Sequence, residues 1–172
     1  DSLPIPEIER KSAVAERIDT LTGLYRPSEF MRSANAFLRT GRDGAWCIAT
    51  VDMGHMRLFN EWHGQAEGDR VLAESAACLM DCSRGKGRLF RSTGPTFVAL
   101  FDELGPEAID EIASEIERFL GSPVLIGSLE YQPPIRVATL HLDGVDRQPV
   151  SILNELKARL IEAPQVPGTK LD

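Results

Sequence analysis

Three polar side chains that follow one buried strand could bind a nucleotide. Asp52 ends the apolar run 45–51, Asn60 lies in the next helical stretch, and Asp69 follows Gly68. Ligands of open α/β sheets gather at the carboxyl ends of strands, so Asp52 is placed like a metal-binding or phosphate-associated carboxylate. Asn60 and Asp69 carry groups that can hydrogen-bond a purine edge. The alternative is structural, because aspartates at strand ends and after glycines often cap helices.

The elements around these residues alternate along the chain. Apolar runs predict strands at 45–51, at 124–131 and at 135–142, and a hairpin at 89–101. Amphipathic spacing predicts helices that begin at Pro27, near Gly54, after Gly68, at Pro106 and at Pro149, after a charged lead-in helix at 6–18. This order predicts a mixed sheet with helices packed on it, in the α/β or α+β class. Trp46 and Trp62 are most simply expected in its core.

The predicted hairpin has a tip without reactive side chains. Residues 92–95 (STGP) supply the turn, with Gly94 free to adopt positive φ and Pro95 fixing its own φ. The apolar run 98–101 is typical of a strand buried on both faces. The tip is therefore well placed to present a functional group, yet it contains no carboxylate, histidine or lysine.

Composition excludes several classes of function. A formal net charge of −7 over 172 residues argues against broad binding to nucleic acid or to anionic membranes. No apolar run reaches the ~18 residues that a membrane span needs. Three cysteines without framework spacing indicate structural thiols in a reducing compartment. We therefore expect one domain in the cytoplasm, either free or as the cytoplasmic part of a larger membrane-tethered protein, that contacts neither nucleic acid nor membrane.

Several spaced motifs resemble those of GGDEF domains, the diguanylate cyclase family. Residues 19–25 (DTLTGLY), followed by Phe30, are similar to the family's opening D-x-L-T-x-L-x-N-R-R-x-F. Residues 52–61 resemble D-x-D-x-F-K-x-x-N-D, residues 64–69 resemble G-H-x-x-G-D, and residues 91–97 (RSTGPTF) stand where R-y-G-G-D-E-F belongs. The motifs keep the family's order over about residues 19–161, and several ordered motifs are far more specific than one.

The resemblance implies a fold and an activity. The fold is a central five-stranded sheet flanked by helices, similar to nucleotidyl cyclase and polymerase palm domains, at residues 19–163. Residues 1–18 are then a linker with the lead-in helix, and residues 164–172 a C-terminal linker or tail. The activity is the condensation of two GTP into cyclic di-GMP across a homodimer, assisted by two metal ions. Sensor or phosphodiesterase domains attached to the same chain are further partners that the resemblance implies.

Four positions retain residues to which the resemblance assigns a role. Asp52 matches a metal-binding aspartate, and Asn60 and Asp69 match the residues that contact guanine. Lys157 in the last helix matches a lysine that binds the triphosphate. The resemblance therefore implies a guanine-nucleotide site at these residues.

Arg84 falls in the window of the family's product-inhibition motif, R-x-x-D. Gly87 stands in place of the motif's aspartate. Arg84 and its basic neighbours could still bind a phosphate group. An ordinary basic surface loop is the favoured alternative, so any inhibitory site here is vestigial.

The signature itself is degenerate, and it now reads Thr93-Gly94-Pro95-Thr96-Phe97. Pro95 and Thr96 replace acidic residues, Gly54 replaces the second aspartate of the strand-end motif, and Gln65 replaces the histidine of G-H-x-x-G-D. Proline offers no side-chain oxygen to a hard cation, so we expect at most weak Mg²⁺ binding and no certain cofactor. Losing a metal-binding carboxylate should cost several kcal/mol of transition-state stabilisation. We therefore predict that no cyclase activity survives.

The sequence leaves different functions open. One is a non-catalytic GGDEF domain of a bacterial cyclic di-GMP signalling protein, which binds GTP, binds a partner protein or holds a dimer. Another is a working diguanylate cyclase with an atypical signature, which would need a carboxylate from Glu61 or Glu67. A third is a pocket for another nucleotide on the same fold.

Overall fold

The computed structural model describes residues 15–39, 46–83, 85–102, 104–142 and 148–170. Residues 6–14 of the predicted lead-in helix lie outside these ranges, and so does Arg84.

Helices and strands are interleaved along the described residues, as predicted. The helices are α1 (Pro27–Arg39), α2 (Met56–His63), α3 (Gln65–Ser83), α4 (Pro106–Leu120) and α5 (Pro149–Glu162). The strands are β1 (Trp46–Met53), β2 (Arg88–Arg91), β3 (Thr96–Asp102), β4 (Val124–Ile126), β5 (Leu129–Tyr131) and β6 (Ile135–Leu142). Pro27, Pro106 and Pro149 each open a helix, where the missing N–H costs no hydrogen bond.

The predicted fold class is confirmed, but the strand count is not. The central sheet has four strands in the order β2-β3-β1-β6, and every neighbouring pair is antiparallel. One parallel bridge, between Tyr25 and Phe90, extends its edge. The stretch 124–131, predicted as one strand, is a separate two-stranded hairpin of β4 and β5. Gly127 causes the difference, because its φ of 62° turns the chain back on itself.

Strand β1 is buried on both faces of the central sheet. Alternate residues of a strand point to opposite faces. Cys47, Ala49, Val51 and Met53 belong to the core beneath α2, α3 and α4. Trp46 and Ile48 belong to a second core, which contains residues of α1 and α5. The continuous apolar run of this strand is thereby explained.

A loop ahead of α1 fastens the hairpin of β2 and β3 to the rest of the domain. Asp19 accepts hydrogen bonds from the Thr22 N–H at 3.0 Å and the Thr22 hydroxyl at 2.6 Å. The Arg91 guanidinium donates to Asp19 Oδ2 over 3.2 Å. The Tyr25 N–H donates to the Leu89 carbonyl, and the Arg91 N–H donates to the Tyr25 carbonyl. We call residues 19–25 the anchor loop, because they fix the strand that leads to the signature.

Replacing Asp19 by asparagine should loosen this attachment in a pH-dependent way. Burial alone would raise the pKa of the Asp19 carboxyl, but hydrogen bonds from Thr22 and Arg91 hold it below its ordinary value of 3.8. Its stabilising contribution is therefore complete above that value and is lost as the pH falls through the lower folded-state pKa. In urea denaturation at pH 7, Asp19→Asn should lower the free energy of unfolding by about 1–2 kcal/mol.

The same loss should disappear in acid, where Asp19 is protonated in both the folded and the unfolded chain. Asp110→Asn, at an exposed carboxylate on α4, should change the free energy of unfolding by less than about 0.5 kcal/mol. Equal effects of the two substitutions at pH 7 would contradict the role given to the anchor loop.

Candidate functional site

A cavity of about 690 Å³ opens where β1 ends, and it brings the strand end and the hairpin tip together. Its walls come from the β1–α2 corner, the start of α3 and the hairpin tip. The polar and tip residues that line it are Asp52, Gly54, His55, Arg57, Asn60, Glu61, Gln65, Arg91, Gly94 and Pro95.

The corner between β1 and α2 is held by backbone hydrogen bonds. The Met53 N–H donates to the Pro95 carbonyl at 3.1 Å, and the Gly54 N–H donates to the Pro134 carbonyl at 2.7 Å. His55 adopts a left-handed conformation with a φ of 60°, which is uncommon for a non-glycine residue and lets the chain turn at once into α2. A Cβ on Gly54 would lie 3.1 Å from the Pro134 carbonyl oxygen. Gly54, which stands where the family has its second aspartate, therefore leaves little room for a side chain.

The two residues predicted to contact guanine lie close together, and Gln65 connects them. Asn60 Nδ2 donates to Gln65 Oε1 at 3.4 Å, and Gln65 Nε2 donates to Asp69 Oδ1 at 2.8 Å. We call Asn60 and Asp69 the base-binding pair after their predicted role, which stays a prediction. Sequence reasoning noted Gln65 only as a replacement for the motif's histidine, and its spacing to Asp69 within one helix was the signal available for the contact.

Gly68 allows Asn60 to lie against α3. A Cβ at residue 68 would stand 1.7 Å from Asn60 Oδ1, so only glycine permits this packing. Asn60 Oδ1 is buried there and has no hydrogen-bond partner among the described residues. The outward-facing group of the Asn60 carboxamide is thus its Nδ2 donor.

The degenerate signature forms a tight two-residue turn. The Thr96 N–H donates to the Thr93 carbonyl at 3.1 Å, and the Ser92 N–H donates to the Thr96 carbonyl at 2.8 Å. Gly94 takes a φ of 54°, and Pro95 occupies the second central position. Glycine tolerates the positive φ at the first central position, and proline needs no N–H at the second. Pro95 therefore suits the turn, although it removes a carboxylate.

Asp52 faces Thr96 across the sheet. The Thr96 hydroxyl donates to Asp52 Oδ1 at 3.2 Å, and Arg136 stands opposite Asp52 in the register of β6. Arg136 was missed by sequence reasoning, because only the strand register identifies it as a neighbour. The carboxylate predicted to bind a metal thus has a hydroxyl and a guanidinium-bearing residue on the adjoining strands.

The residues around Asp52 do not match the oxygen ligands that Mg²⁺ prefers. Positions 54, 95 and 96 supply no carboxylate, and the Pro95 carbonyl already accepts the Met53 N–H. Across the described ranges, no three or more His, Cys, Asp or Glu side chains are grouped so that they could hold a metal ion. We conclude that the donor set does not fit a resident Mg²⁺.

The carboxylates suggested as substitutes are held by arginines. Glu61 lies 3.2 Å from the Arg57 guanidinium, and Glu67 lies 3.1 Å from that of Arg70. Each pair lies within a single helix, α2 for the first and α3 for the second, and both pairs are exposed to solvent. Either glutamate would have to leave its arginine to complete a cation site at Asp52.

Lys157 lines a different cavity from Asn60. That cavity, of about 240 Å³, lies between the hairpin and α5 and includes Thr50, Thr93 and Thr96. Lys157 therefore lies near the signature but apart from Asn60. Its predicted contact with phosphate stays a prediction.

One core assignment near the site was wrong. Trp62 was predicted to lie in the core with Trp46, and Trp46 is indeed 7% exposed. Trp62 is 58% exposed, together with Leu58 at 37% on the same helix. Helix α2 buries Met56 and Phe59 instead, so these two face the sheet and the opposite side faces solvent.

Comparison with known proteins decides the family. The family described as "Diguanylate cyclase, GGDEF domain" matches residues 16–161. The chain belongs to the GGDEF domain family. It is thus a GGDEF domain of the kind found in cyclic di-GMP signalling proteins.

Two relatives found by sequence similarity are longer than this GGDEF domain. An uncharacterized signaling protein of Caulobacter vibrioides is 29% identical over 132 residues, which cover 71% of this chain and 16% of that protein. The uncharacterized protein YhcK of Bacillus subtilis is 25% identical over 139 residues, which cover 78% of this chain and 39% of that protein. The chain thus spans less than half the length of either relative.

Solved structures share the fold of this GGDEF domain. The FimX GGDEF domain of Pseudomonas aeruginosa has a TM-score of 0.79 at 18% identity, covering 86% of this chain and 93% of that one. The coiled coil and GGDEF domain of DgcB from Caulobacter crescentus, solved in complex with c-di-GMP, has a TM-score of 0.74 at 19% identity, covering 90% and 87%. At such identities the likeness shows the fold alone. Within the described ranges, no helix has the length and apolar character needed to cross a bilayer.

Gly68→Ala should displace Asn60 while leaving the domain folded. The new Cβ would overlap Asn60 Oδ1, but the carboxamide can rotate away, and alanine favours α3 by about 1 kcal/mol. We expect the side-chain amide resonances of Asn60 to shift in NMR spectra, with the free energy of unfolding changed by less than about 1 kcal/mol. Gly105→Ala is the control, because a Cβ there meets nothing within 4 Å. Unchanged Asn60 resonances in Gly68→Ala would contradict the packing described.

Proposed function

We propose that this GGDEF domain binds GTP at the cavity beside Asp52 without converting it to cyclic di-GMP, and regulates a signalling protein through that binding. The observation that carries the proposal is the base-binding pair. Asn60 and Gln65 line a cavity whose catalytic carboxylates are missing, and Gln65 joins Asn60 by hydrogen bonds to Asp69 beside it.

Chemistry and size support nucleotide binding. The Asp69 carboxylate can accept the two N–H groups on one edge of guanine, and Asn60 Nδ2 can donate to a guanine acceptor. Hydrogen bonds to a charged carboxylate are stronger than neutral ones, which favours guanine over bases without that pair of donors. A cavity of about 690 Å³ also falls in the usual size range of small-molecule sites.

The same site lacks what phosphoryl transfer needs. Catalysis of that reaction depends on positioning and on cations that neutralise the developing charge. Asp52 is the carboxylate that remains of the family's metal-binding set, and Thr96 occupies one of its oxygens. Pro95 cannot replace the lost acid, and Lys157 lines a separate cavity. A regulatory role, exerted on attached signalling domains or within a homodimer, agrees with binding that is uncoupled from turnover.

Calorimetric titration with GTP in the presence of Mg²⁺ tests the proposal. We expect saturable binding of GTP and weaker binding of ATP. Asp69→Asn should weaken GTP binding by about tenfold or more, because it removes a charge-assisted acceptor. Asp110→Asn, distant in sequence and exposed on α4, should leave the dissociation constant unchanged.

Two outcomes would contradict the proposal. Absence of heat at millimolar GTP would exclude a nucleotide-binding module and leave a scaffold or a dimerisation domain. Equal affinities for GTP and ATP would show that the base-binding pair does not select guanine.

A further inference from the structure

Gln65 makes one hydrogen bond to each member of the base-binding pair in the free domain. Its side-chain oxygen accepts from Asn60 Nδ2 at 3.4 Å, and its side-chain nitrogen donates to Asp69 Oδ1 at 2.8 Å. Asn60 Oδ1 is turned inward against Gly68, so Nδ2 is the group that Asn60 offers to a ligand. Gln65 therefore engages the same donor and the same carboxylate that a bound base would need.

The carboxamide of Gln65 is chemically similar to one edge of guanine. Guanine carries a lactam, in which the C6 carbonyl oxygen accepts a hydrogen bond and the adjacent N1–H donates one. A primary carboxamide presents the same acceptor beside the same donor on a shared carbon atom. Adenine presents the reverse order, with an amino donor at C6 and an acceptor at N1. Gln65 thus imitates guanine rather than adenine.

We propose that Gln65 is an internal competitor, whose carboxamide occupies the base-binding pair until the lactam edge of a guanine nucleotide displaces it. The inference rests on the proposed function, and it assigns to one residue the control of affinity and specificity. When Gln65 rotates away, Asn60 Nδ2 and the Asp69 carboxylate are released together. The nucleotide then exchanges its bonds to water for the bonds that Gln65 gives up.

The position of Gln65 allows this exchange. It is the first residue of α3, its side chain is exposed, and both hydrogen bonds lie at the surface. The bond to Asn60 is long, so its loss costs little. A glutamine at a helix start can adopt other rotamers in solvent without disturbing the core. If Gln65 instead held Asn60 and Asp69 in position for the base, its removal would weaken GTP binding rather than tighten it.

Titration of GTP and ATP into matched variants separates these effects. Gln65→Ala removes the competitor and should tighten GTP binding about threefold to tenfold, the range expected for releasing exposed hydrogen bonds. ATP binding should stay unchanged, so selectivity for guanine should rise by the same factor. Gln65→Leu should also tighten GTP binding, because it keeps a similar size but has neither the donor to Asp69 nor the acceptor for Asn60. Gln148→Ala, at an exposed glutamine that precedes α5, should have no effect.

The double variant Gln65→Ala/Asn60→Ala checks the route of the effect. The gain should be smaller when measured against Asn60→Ala alone, since only the Asp69 carboxylate is then released. Thermal unfolding of each variant confirms that it is folded before titration.

The outcomes distinguish the two proposals. If the wild type binds GTP and Gln65→Ala binds it equally or more weakly, the competitor role is overturned while the proposed function stands. Binding by Gln65→Ala alone would support the competitor role strongly. If neither protein binds GTP at millimolar concentration, the proposed function fails and this inference fails with it.

Discussion

The antiparallel pairing of β1 with β3 on one side and β6 on the other determines which groups can meet at the site. Both faces of β1 are buried, so a shift of one residue would exchange two sets of core side chains and is strongly disfavoured. This register places Asp52 opposite Thr96 and Arg136. The corner that follows β1 then carries α2, and with it Asn60, to the start of α3.

The signature hairpin keeps its scaffold without the acidic residues of the family's signature. Backbone hydrogen bonds close the turn at Thr93–Thr96, and Gly94 takes the positive φ that the turn requires. The anchor loop fastens the approach to that turn through Asp19 and Arg91. Neither interaction needs the acidic residues of the family's signature. The hairpin can therefore persist as a wall of the cavity after its catalytic carboxylates are gone.

The local sequence pattern predicted the structural elements that depend only on residues close together in the chain. The buried strand β1, the turn at Gly94 and the helices that open at prolines follow from hydrophobic period and backbone preference. The hairpin within 124–131 was missed because its turn, at Gly127, interrupts a stretch that otherwise has strand composition. Trp62 was misplaced because the face of a short helix that meets the sheet depends on tertiary packing.

The site was predictable in part. Spaced motifs identified Asn60, Asp69 and the missing acids, since those positions have fixed separations along the chain. The bridge through Gln65, the neighbour Arg136 and the separate cavity of Lys157 arise from side-chain distances and strand register, which no separation along the chain reveals. The hydrogen bonds that join Asn60, Gln65 and Asp69 are therefore visible in the structure alone.

The central claim is that nucleotide recognition persists where turnover has ended. The most direct measurement is prolonged incubation of concentrated protein with GTP and either Mg²⁺ or Mn²⁺, followed by chromatography of the nucleotides. The account predicts that GTP is recovered unchanged with both cations. Formation of cyclic di-GMP by the wild type, abolished in Asp52→Ala, would contradict it.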